Sequence, residues 1–80
     1  MRIEKTDMAD EEEVTTTVVE AESLAALGRT EMESLATNDR FEPCYGREKE
    51  FKVVVEDNQM WIVWLPSDGG EYTIAEYRVL

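Results

Sequence analysis

The side chains that could do chemistry in this 80-residue sequence form a short inventory, with no histidine and a single cysteine, Cys44. No imidazole base, no histidine-containing zinc site and no cysteine cluster can be assembled from that set. Cys44 has no histidine beside which its thiol would ionise, and one cysteine closes no internal disulfide. Carboxylates remain. Glu56 and Glu71 are the pair that could share acid and base roles, but nothing around them in the sequence forms a cleft or perturbs their protonation. Asp57-Asn58 and Asp68-Gly69-Gly70 lack the ligand spacing of a calcium loop, and Gly69-Gly70 lacks the lysine and flanking glycines of a phosphate loop. Both read as turns. The expectation is a non-catalytic protein with no cofactor and no metal.

Aromatic residues could supply a different chemistry. Trp61, Trp64, Tyr45, Tyr72 and Tyr77 could stack on unpaired bases, yet a stacking platform needs a basic groove. The chain is acidic instead, with 19 Asp and Glu against 8 Lys and Arg and a net charge of −11. The excess is distributed, at −4 for residues 1 to 13, −4 for 14 to 39, zero for 40 to 50 and −3 for 51 to 80. A body so charged is repelled by phosphates, so direct nucleic-acid binding is not expected. A basic protein or nucleoprotein complex is the partner it suits, with solubility or a salty cytoplasm as the plainer explanations.

The elements that must position these groups centre on residues 51 to 65. Val53, Val54 and Val55 lead to Glu56-Asp57-Asn58-Gln59, after which the apolar run resumes at Met60, the pattern of a β-hairpin with a two-residue loop. In that register Phe51, Val53, Val55, Met60, Ile62 and Trp64 share one face. Trp61, Val63 and Leu65 fall on the other, so the second strand is apolar on both sides. Pro66 to Gly70 is a turn, and residues 71 to 80 make a last strand. Upstream, Val14 to Val19 is dense in β-branched residues without a strongly apolar face, which suits an edge strand. Ser23 caps a helix whose Leu24, Leu27, Gly28, Met32, Leu35 and Ala36 share one side. Gly28 marks either a kink or close packing on the sheet. Residues 41 to 46, with a proline and a glycine, form a connecting loop, and the alternating charges of 47 to 50 precede the hairpin.

The fold class read from this pattern is α+β: one small domain over residues 14 to 80, ordered β-α-β-β-β, with an antiparallel three-stranded meander and one helix on one face. Residues 1 to 13 read as a flexible acidic arm. No apolar run reaches the roughly 18 residues of a membrane span and no signal region is evident, so the expected location is the cytoplasm. No residue motif identifies a family. In charge, size and fold class the chain resembles the small phage-encoded inhibitors, anti-CRISPR proteins among them, that block the nucleic-acid channel of a larger complex. That resemblance implies nucleic-acid mimicry by ordered carboxylates, for which the candidates are Glu20, Glu22, Glu33, Glu56, Asp57 and Glu71. The alternative is a homodimeric structural or regulatory subunit joined through Trp61, Val63 and Leu65, which one helix leaves uncovered.

Overall fold

The structure is a computed structural model that describes residues 1–8, 12–36, 50–66 and 69–80. Its elements are β1 (Arg2–Asp7), β2 (Thr15–Glu20), α1 (Leu24–Ala36), β3 (Phe51–Glu56), β4 (Gln59–Trp64) and β5 (Tyr72–Val79). The strands form one antiparallel sheet in the order β2-β1-β5-β4-β3, with α1 against one face. The chain is therefore α+β, and β3, β4 and β5 make a meander within a larger sheet. The loop expected at 41 to 46 and the charged stretch at 47 to 49, with Cys44 and Tyr45, lie outside the described residues, as does Asp68.

The first residues depart from the sequence reading. Arg2–Asp7, expected within a mobile arm, form an interior strand paired on both sides, with Lys5 between Thr17 of β2 and Tyr77 of β5. The reason is alternation hidden beneath charge. Ile3 is fully buried on the α1 side, and the charged neighbours that suggest an arm have partners. Lys5 pairs with Glu31 at 3.1 Å, and Glu4 pairs with Arg78 at 3.1 Å. The β2 strand lies at a sheet edge, as its weakly apolar faces suggest.

The core lies between α1 and the sheet. Ile3, Met60, Ile62 and Tyr77 are its fully buried side chains, with Leu24, Leu27, Ile74 and Ala75 around them. An irregularity in the β4–β5 register beside Ile62 and Val63 places Ile74 and Ala75 together in this core. The Ser23 hydroxyl accepts the Ala26 N–H at 3.1 Å, which caps α1 as expected. Gly28 does not interrupt the helix. A Cβ there would meet the Met60 sulfur at 3.1 Å and Val53 Cγ1 at 3.7 Å, so the glycine permits close approach to the sheet. Trp64 packs at the core margin beside Tyr72, with ring centroids 5.9 Å apart.

Candidate protein-interaction surface

Antiparallel register arranges the face away from α1 into rows. Val18, Glu4, Arg78, Gln59 and Glu56 cross all five strands in one row, and Thr16, Thr6, Glu76, Trp61 and Val54 form the next. The Arg78 guanidinium donates to the Glu4 carboxylate at 3.1 Å. With Thr6, Gln59 and Glu76 these two line a shallow depression of about 140 Å³. Arg78, the one cation of this lining, is already paired with Glu4, and Glu76 adds a second negative charge, so the depression does not suit an anion.

One end of the sheet gathers carboxylates. Glu20 is in register with Arg2, the Leu80 N–H donates to the Arg2 carbonyl at 3.0 Å, and the Val79 N–H donates to the Asn58 carbonyl at 2.9 Å. The end of β2, the end of β5 and the β3–β4 turn therefore stand side by side. Exposed Glu20, Glu22, Glu56 and Asp57 lie along this end, across a five-strand width of about 19 Å. The turn holds Asp57 at φ 50°, so its carboxylate projects from a defined backbone. The N-terminal amine is the cation nearest Glu20, at 3.9 Å, and both groups are exposed. Two candidates stand apart from this group. Glu71 is at the opposite end, paired with Lys52 at 3.0 Å, and Glu33 is exposed on α1.

The apolar candidates lie where the hairpin register puts them, on the face away from α1, but they are not an open patch. Val63 is 9% exposed, and Trp61 and Leu65 are half-buried. The more exposed apolar side chains of the hairpin are Val53 and Val55, at 38% and 50%, on the outer strand. The sequence pattern puts both on the helix-side face, where α1 reaches Val53 at Gly28 but covers the two side chains only in part.

A polar cluster at the helix–sheet junction also escaped the sequence reading. Lys5 Nζ donates to both carboxylate oxygens of Glu31 at 3.1 Å and lies 5.9 Å from the centre of the Tyr77 ring. Burial, the negative charges of Glu31 and Asp7, and a hydrogen bond to Glu31 push the Tyr77 phenol well above its ordinary value near 10. It stays neutral at any physiological pH, and the cluster fastens β1 and β5 to α1. The signal for it was an i, i+2 alternation in Ile3-Glu4-Lys5, obscured by the charges themselves. Among the described residues no group of three or more His, Cys, Asp or Glu side chains could hold a metal ion, and no helix is long and apolar enough to cross a membrane. No family model matches the sequence, and no curated protein or solved structure matches it at a significant level.

Proposed function

We propose that this chain is a small acidic binding protein that works without catalysis, inhibiting a larger complex by occupying a basic surface that otherwise holds nucleic acid. The observation that supports this reading is the exposed row of Glu20, Glu22, Glu56 and Asp57 along one sheet end. These carboxylates sit on or beside strand ends and a tight turn, so little backbone freedom is lost when they meet Lys and Arg. Duplex DNA carries one charge per about 1.7 Å, so the four carboxylates of this sheet end stand in for about two base pairs, and the net charge of the whole chain, −11, for about five to six. Such action is the kind for which the chain resembles small phage-encoded inhibitors. A homodimer through Trp61, Val63 and Leu65 is the less favoured reading, because those side chains are already largely covered.

Capture from the native host, then competition between this protein and a labelled duplex for the captured partner, tests the proposal. Glu20→Lys, Glu22→Lys and Asp57→Lys combined should weaken binding at least about tenfold, and wild-type affinity should fall steeply with salt. A partner that holds nucleic acid equally well with and without the protein would sink the mimicry reading. So would an affinity indifferent to both salt and the reversals.

A further inference from the structure

The geometry points to a second copy of this chain as the occupant of the outer edge of β3, paired antiparallel about a two-fold axis at Val54, so that two sheets become one. Among the described residues no strand lies beyond β3. The inference does not rest on the mimicry reading, although it takes Glu56 out of that row of carboxylates.

The backbone comes first. The two-residue loop at Asp57-Asn58 makes Glu56 and Gln59 the closing hydrogen-bonded pair of the hairpin. Alternation then aims the N–H and C=O groups of Lys52, Val54 and Glu56 at β4, and those of Val53 and Val55 outward. A two-fold axis at Val54 sets Val53 opposite the partner's Val55, and Val55 opposite the partner's Val53. Each pair exchanges two N–H to O=C bonds, so four outward donors and four outward acceptors are matched.

The side chains agree with that register. Lys52 and Glu56 are equidistant from Val54 and share a face, so each Lys52 lies opposite the partner's Glu56. A lysine on an edge strand ordinarily blocks pairing, but here symmetry supplies its counter-charge twice. Lys52 already pairs with Glu71 at 3.0 Å, on a side chain about half exposed, and its ammonium has three donors, enough for both carboxylates. On the opposite face the exposed Val53 and Val55 would meet across the seam and extend the core past α1. Gly28 brings α1 against Met60 and Val53, yet Val53 and Val55 keep 38% and 50% of their surface exposed, so the helix covers that margin only in part. The other edge, β2, offers no such match. Its one charge is Glu20, and a symmetric pairing there brings threonine and valine together without any opposite charge.

A contact of one strand edge falls at the small end of specific interfaces, below about 1,200 Å², so the dimer should be weak, with Kd on the order of 10 to 100 μM. In the dimer Glu56 belongs to the subunit contact, and Glu20, Glu22 and Asp57 stay outward. Sedimentation velocity on the full chain in moderate salt should show a mass rising from 9.2 kDa towards twice that as concentration increases. Lys52→Glu and Glu56→Lys should each weaken self-association about tenfold, because each sets like charges opposite one another at two places. Mixed in equal amounts, the two variants should form a heterodimer, since every opposed pair is then of opposite sign. Amide exchange on the wild-type protein supplies a second readout, with Val53 and Val55 N–H groups gaining protection as concentration rises. A wild type that stays monomeric to about 1 mM, or a mixture that associates no better than either variant alone, overturns the proposal.

Discussion

Tyr77 shows what a single residue contributes here. Its ring is a fully buried part of the core, and its hydroxyl is satisfied by Glu31, so it joins apolar packing to the Lys5–Glu31 pair. Because burial and nearby carboxylates raise the folded-state pKa, unfolded chains release this proton first as pH rises. The linked stability is complete below the unfolded value near 10 and is lost above it, at up to about 1.4 kcal/mol per pH unit. Urea titrations between pH 8 and 11 should show this decline in the wild type. Tyr77→Phe should lower stability at neutral pH by about 1 kcal/mol, for the lost hydrogen bond, and should flatten the alkaline slope. An equal slope in both proteins would assign the decline to other groups.

At the scale of elements, the legible parts of the sequence were those where hydrophobic periodicity was undisguised. The hairpin register, the capped helix and the weak edge strand all follow from residue types within a few positions of one another. Strand β1 was not legible, because only Ile3 among its six residues is a large apolar group and its charges find partners far along the chain. Local pattern carries no information about Glu31 or Arg78. The same limit hid the acidic sheet end, since the sequence separates Glu20 and Asp57 and only the strand order unites them. An interior strand is costly to lose. Removing residues 1–8 should abolish cooperative unfolding, since it strips β2 of its partner and opens β5, where a mobile arm would leave the melting temperature unchanged. Ile3→Ala, a milder form of the test, should cost about 2 to 4 kcal/mol in urea unfolding. If either protein melts like the wild type, β1 is not integral to the sheet.

The whole molecule carries a charge of −11 on 80 residues, and this sets two salt responses of opposite sign. Ion pairs such as Glu4–Arg78 and Lys52–Glu71 are exposed and contribute little, whereas repulsion among the remaining carboxylates opposes compaction over longer distances. Raising salt from about 0.05 to 0.5 M shortens the screening length from about 14 to 4 Å, less than the spacing of most surface charges. Repulsion between carboxylates of neighbouring strands then weakens more than the contact pairs do. The melting temperature should rise by a few degrees across that range, measured by circular dichroism at fixed protein concentration. Affinity for a basic partner should fall over the same range, because the field that burdens the isolated fold is the one that steers association. If the melting temperature fell with salt instead, the surface ion pairs would outweigh the repulsion. The acidity would then be arranged for stability within the chain, and the argument that it is directed at a partner would lose its main support.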